Sequence, residues 1–290
     1  MDDKPKKFLQ PRVHVVTPED VPPVMAMCAG YDEKEWRAET LAKHLCKWIP
    51  EWAFRYGERE DLSFGTMMEM ARRAALKVYT STQYERRGEF GELMLHAVIR
   101  HEFKTVPAVS KIYFKDSAND VVKGFDCVHV SSRPCGKLDL WLGEAKFYVN
   151  VGQAVAAAAK DLRDHLERDY LREEFAFICD KLDDKFTLRD EIRALLDEER
   201  ALDEIVASLR LPVLVAYDSQ CIADHESVCA EYEAALEAEA EAVREKLIEN
   251  LGKKPPPRDV SIELILLPVE DKTKLITLLD KELRQWQGRA

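Results

Sequence analysis

Three short apolar runs, VSKIYFK (109–115), GFDCVHV (124–130) and LDLWLGEAKFYV (138–149), follow one another with only short polar connections. Connections of that length leave no room for a crossover helix, so the runs are predicted to pair as sequential antiparallel neighbours, a meander. Before them, EFGELMLHAVIRHEF (89–103) repeats Phe90, Leu93, Met94, Ala97 and Val98 at helical spacing. After them, GQAVAAAAKDLRDHLERDYL reads as a helix whose small-residue face suits close packing on a sheet. LPVLVAYDS (211–219) and VSIELILLPV (260–269) are further strand candidates, separated by a long acidic helix ending at Gly252 and by the breaker KKPPPRD. KTKLITLLDKELRQW reads as a closing helix. Strands and helices in this order predict an α/β fold with α+β character, a mixed sheet flanked by helices.

The third run carries a chemical problem. Glu144 and Lys146 lie two residues apart in a strand, so they share a face within otherwise aliphatic sequence. Unpaired charge is expensive to bury, so the two either pair or line a wet cleft. Asp126 sits in the preceding run, and antiparallel pairing can bring it near Glu144 at one end of the sheet. Two such carboxylates repel unless a proton or cation is shared between them. A divalent ion resolves the repulsion, because Mg²⁺ takes oxygen ligands and keeps waters. The main-chain carbonyl of Ala145 offers one more oxygen. Lys146 would then orient water, stabilise negative charge or, with a depressed pKa, act as base. The plainer alternative is a Glu144–Lys146 ion pair at a strand edge, with Asp126 in a turn-side hydrogen bond.

A helix with glutamate, a strand, a strand with aspartate, a strand with ExK and a helix form an order that resembles the restriction-endonuclease-like PD-(D/E)xK nucleases. RRGEFGELMLH, KGFDCVHV and LWLGEAKFY are similar, more closely, to the HamA family, the nuclease subunits of the Hachiman antiphage defence system. That resemblance implies a DNA nuclease using Mg²⁺ or Mn²⁺. Asp126 and Glu144 would be its metal-binding acids, Lys146 its catalytic lysine, and Glu92 or Glu89 its helix glutamate. Glu92 falls beside Leu95 and Ile99, whereas Glu89 lies nearer the flank of the apolar stripe. Phe125 stands where the family often has a proline. A superfamily 2 DNA helicase, called HamB in that system, is implied as the partner that senses DNA and restrains or releases the nuclease. The rival reading keeps the nuclease fold but makes the chain a catalytically weak or inactive subunit that binds and regulates the helicase.

The expected organisation is a mostly helical N-terminal lobe over 1–80 and a nuclease-like domain over 81–290 with C-terminal helical and strand additions. Trp36, Trp48 and Trp52 are predicted to bind the lobe to the body. A formal net charge of -11 argues against a passive, charge-driven nucleic-acid coat but leaves room for local patches. Arg72, Arg73, Arg86 and Arg87 make one such patch, open to phosphate, partner or plain surface roles. Residues 231–250 hold seven acids against two bases, a solvated exterior, a docking surface or a guard over a DNA path. Gln153 is either a phosphate or carboxylate contact or an ordinary first-turn residue.

Seven cysteines without CxxC spacing read as reduced thiols of a cytoplasmic protein. Cys127, His129 and Cys135 lack a fourth ligand and read as core rather than zinc; Cys221, His225 and Cys229 read as one helix face. No run approaches the roughly 18 apolar residues of a membrane span, and no signal-peptide core is seen, so no membrane role is expected. With no GxxxxGK[ST] loop, any ATP-driven step belongs to a partner.

Overall fold

Seven strands join in the order β1-β2-β9-β8-β7-β6-β5 in the computed structural model, which describes residues 4–16, 21–61, 63–78, 88–114, 124–134, 136–252 and 260–289. The strands are β1 (Gln10–Val15), β2 (Val24–Cys28), β5 (Val106–Ser110), β6 (Cys127–Ser132), β7 (Leu138–Phe147), β8 (Leu209–Asp218) and β9 (Ser261–Val269). A separate two-residue ladder joins β3 (Tyr31–Asp32) to β4 (Glu35–Trp36). Pairing is parallel through the centre, β2 with β9, β9 with β8 and β8 with β7, and antiparallel at both margins. The central strands β8 and β9 are covered on both faces, as continuous apolar runs such as VLVAY require.

Helices flank this sheet: α1 (Ala38–Cys46), α2 (Ile49–Ala53), α3 (Met67–Lys77), α4 (Gly88–Glu102), α5 (Val151–His165), α6 (Arg168–Lys181), α7 (Arg189–Leu195), α8 (Leu202–Val206), α9 (Gln220–Ala223), α10 (Ala230–Leu251) and α11 (Lys272–Trp286). Asn150 caps α5 by accepting the Gln153 N–H at 3.0 Å, and Ala154, Val155, Ala158, Ala159 and Leu162 form its buried stripe. Small side chains there let α5 lie close on β7 and β8, while α10 packs against α5 and over β1 and β2. Tyr232, Leu236, Ala240, Val243, Leu247 and Leu251 turn inward from α10, leaving most of its acids exposed.

Trp36, Trp48 and Trp52 are all buried. Around Trp48, a buried polar chain ties α2 to α4 and β6. Arg100 donates to both Glu51 oxygens, and Glu51 Oε2 lies 3.1 Å from His96 Nε2. His96 Nδ1 meets His129 Nε2 at 3.3 Å, and His129 Nδ1 meets Thr105 Oγ1 at 2.8 Å. Thus His129 is a satisfied core histidine.

The meander of β5, β6 and β7 forms as the short connections dictate. Four local readings change. The strand expected over 109–115 begins earlier, and residues 111–114 coil into a 3-10 turn. VMAMC, inside the lobe expected to be mostly helical, is the fully buried β2. The helix predicted over GQAVAAAAKDLRDHLERDYL divides into α5 and α6 around Leu166–Glu167. Cys221, His225 and Cys229 do not share a helix face: α9 stops at Ala223, and Cys229 is the N-cap of α10. Arg86, Arg87, Cys135, DSAND and KKPPPRD lie outside the described residues.

Candidate active site

β7 outruns its antiparallel neighbour. The ladder with β6 ends at Cys127↔Gly143, whereas β7 continues beside β8 through Phe147. Residues 144–147 therefore present one edge that β6 does not cover, and Asp126 turns across it. The Asp126 N–H donates to the Gly143 carbonyl at 2.8 Å, and its Oδ2 accepts the Ala145 N–H at 2.8 Å. A carboxylate thus replaces the missing strand as partner of the main chain, which fixes its position closely.

Side chains alternate along β7, so 143, 145 and 147 face one way and 144 and 146 the other. Gly91 of α4 packs on Ala145 and Phe147. Gly143 must be glycine for this packing, because a Cβ there would lie 2.6 Å from Cys127 Sγ and 2.8 Å from Leu95 Cδ2. On the opposite face, Lys146 Nζ donates to Glu144 Oε1 at 2.5 Å and to Asp161 Oδ2 of α5 at 2.6 Å. His165 Nδ1, one helical turn on, lies 3.6 Å from Glu144 Oε2. Among the described residues neither of these last two atoms has a hydrogen-bond partner.

The two faces meet around the uncovered edge in a cavity of about 690 Å³. Glu92, Asp126, Glu144, Ala145 and Lys146 all line it, as do Lys111, Asp161 and His165. Of the two helix glutamates, Glu92 lines the cavity and is buried; Glu89 is half-buried and does not line it. Lys111, from the 3-10 turn after β5, donates to Asp126 Oδ1 at 2.9 Å. Gln153 is exposed and does not line the cavity, while Arg72 and Arg73 are exposed on α3.

The electrostatics follow from burial. Desolvation, then the charge of Asp126, drives the Glu144 pKa upward, although Lys146 and Lys111 pull against it. Desolvation would lower Lys146, but Glu144 and Asp161 outweigh it and hold the ammonium protonated. In this arrangement the two carboxylates raise the Lys146 pKa rather than depress it. Burial lowers the pKa of His165 and favours the neutral ring. The Ala145 N–H is taken by Asp126, and Ala145 itself lines the cavity. Among the described residues, no three His, Cys, Asp or Glu side chains are grouped so as to hold a metal ion.

Asp161 was legible in principle, since it lies three residues after Ala158 and flanks the small-residue stripe of α5. Lys111 carried no local signal, because a strand reading gave it only a place in alternation.

A mixed sheet flanked by helices, with an acid at the end of one strand and an ExK strand beside it, defines a nuclease-fold protein of the restriction-endonuclease-like class. The HamA family profile matches residues 5–283, and the chain belongs to the HamA family. It is also similar to Anti-bacteriophage protein A of Escherichia coli (strain K12), with 25% identity over 285 residues, covering 94% of this chain and 51% of that protein. The chain spans about half the length of the curated relative it matches. Among the described residues, no helix is long and apolar enough to cross a membrane.

Proposed function

We propose that this chain is the nuclease-fold subunit of a two-component antiphage complex, catalytically weak or inactive alone, and that it binds and regulates a DNA helicase partner. One observation carries this reading: each carboxylate of the central pair is already bonded to a lysine, Asp126 to Lys111 and Glu144 to Lys146. Family membership and the name of the relative support the defence setting.

Metal-dependent DNA hydrolysis is the second reading, and a different observation favours it. Glu144 Oε2 is buried beside Asp126 without a hydrogen bond among the described residues, an arrangement that a cation would relieve. The donors suit Mg²⁺ or Mn²⁺, since Mg²⁺ commonly binds through one or two carboxylates and retains waters. Asp126, Glu144 and Glu92 would hold the ion. It would supply Lewis-acid stabilisation and lower the pKa of bound water. Lys146, kept cationic by Asp161, would present positive charge to a phosphate oxygen. Asp161 would fix the direction of that charge, and Asp126 would brace the strand edge through Ala145.

The test compares degradation of linear and supercoiled DNA by the chain alone, by the chain with its helicase, and by the mixture with ATP, all with Mg²⁺. A Glu144→Ala, Lys146→Ala double variant provides the baseline. The first reading expects the isolated chain to match that baseline, to co-purify with the helicase and to alter its ATPase rate. Cleavage by the isolated chain well above the double variant would establish the second reading. Absence of stable association would remove the regulatory role.

A further inference from the structure

We propose that Lys111 is a resident cation of this site and competes directly with a divalent metal for Asp126; the inference rests on the metal-dependent reading above. Lys111 comes from outside the acid–ExK pattern and reaches the site through topology. β5 pairs with β6 so that Ser110 lies opposite Cys127, which places the residue just after β5 beside the residue just before β6. Lys111 therefore meets Asp126 by register. Its side chain is 17% exposed, and its ammonium donates to Asp126 Oδ1 at 2.9 Å. Glu92 and Glu144 line the same cavity as Lys111 and add their negative charge around it.

The consequence for a metal is direct. Asp126 Oδ2 is occupied by the Ala145 N–H, and Lys111 occupies Oδ1. Each oxygen keeps a second lone pair, so a divalent cation that takes Asp126 as a ligand competes through charge: it meets the repulsion of the Lys111 ammonium 2.9 Å from Oδ1. The main-chain donor is fixed in the sheet. Lys146 is held by two carboxylates, Glu144 and Asp161. Lys111 is the group able to yield, because a lysine is a point charge on a flexible four-carbon stem and this one projects from a short turn. Charge balance gives the same answer. Five carboxylates and four ammonium groups line the cavity, and removing one ammonium strengthens the negative field that a metal experiences.

Lys111 thus sets the cation affinity of the folded protein, which Mn²⁺ titration by calorimetry reads without any cleavage assay. Lys111→Met keeps the length of the stem and removes the charge. It is expected to lower the Mn²⁺ dissociation constant at least tenfold relative to the wild type at the same pH and ionic strength. Adding Asp126→Asn is expected to abolish that gain. Thermal unfolding checks that each variant is folded. If Lys111→Met does not fold, Lys111→Gln, which keeps a donor for Asp126 without the charge, makes the same measurement. Unchanged or weaker Mn²⁺ binding by the folded variant, with wild-type binding still lost in Glu144→Ala, overturns the role of Lys111 and leaves the metal reading intact. If neither the wild type nor a folded Lys111 variant takes up Mn²⁺, the metal reading fails and the competition fails with it.

Discussion

Replacing Glu174 with glutamine is expected to stabilise this protein, by an amount that grows with pH. Glu174 projects from α6 beneath Gly124 and Phe125, and its Oε1 accepts the Phe125 N–H at 3.3 Å. The side chain is buried, and a Cβ at Gly124 would come within 2.6 Å of its Oε2. Burial raises its pKa from 4.5 to about 7, against smaller opposing effects of the Phe125 hydrogen bond and Lys111. An acid with a raised folded-state pKa contributes stability that is complete below the unfolded value and is lost as pH rises through the folded one. Those two values make the buried Glu174 cost the native state about 3 kcal/mol near pH 8, where it is ionised, and about 1 kcal/mol near pH 5, where only the unfolded chain ionises it. Glutamine keeps a carbonyl acceptor for Phe125 and does not ionise. The stabilisation of Glu174→Gln over the wild type should therefore be about 2 kcal/mol larger near pH 8 than near pH 5. Urea unfolding of both proteins at the two pH values measures the difference, and comparing the pair cancels the histidines, which titrate in the same window. An equal effect at both pH values, or a larger one in acid, would refute the argument that burial controls this carboxyl. The turn that Glu174 supports leads straight into Asp126, so the same substitution tests how tightly the site is braced.

Two further predictions concern the frame of the site. Gly143→Ala drives a Cβ into Cys127 Sγ and Leu95 Cδ2 and should destabilise by about 1–3 kcal/mol. Calorimetric unfolding should show partial recovery when Cys127→Ala is added, and an unshifted midpoint in the single variant would contradict the packing. Glu51→Ala leaves the buried Arg100 without its two-oxygen partner and should cost about 3–5 kcal/mol in denaturant unfolding at neutral pH. Burial would raise the Glu51 pKa, but His96 and Arg100 hold it well below the usual carboxylate range. Its stabilisation is thus present above the unfolded value of 4.5 and lost as pH falls through the folded one. The difference between wild type and Glu51→Ala should accordingly shrink in strong acid.

What could be read from the chain was what depends on near neighbours. Short connections gave the meander, and alternation placed Glu144 and Lys146 on one face, where α5 meets them. The position of Glu92 beside Leu95 and Ile99 agreed with its place in the cavity. Features set by distant residues were hidden. VMAMC is a strand because β9 pairs with it, and nothing within its own five residues distinguishes that from a buried turn. Lys111 enters the site through the pairing of Ser110 with Cys127, and Asp161, the second carboxylate on Lys146, lies 15 residues away in sequence.

The pairing of Val24 with Leu264 imposes an order on biosynthesis. A ribosome delivers the β1–β2 hairpin well before the strand that will cover its inner edge, with β3 to β8 made in between. A lone two-stranded hairpin is marginal in water, so β2, buried at every position in the finished sheet, must wait as an apolar segment with an unpaired edge. Closing so long a loop is slow, and the waiting time is a window for wrong pairing with other nascent chains. β9 therefore acts as a clasp: a chain halted before Ser261 leaves both β2 and β8 without their shared neighbour.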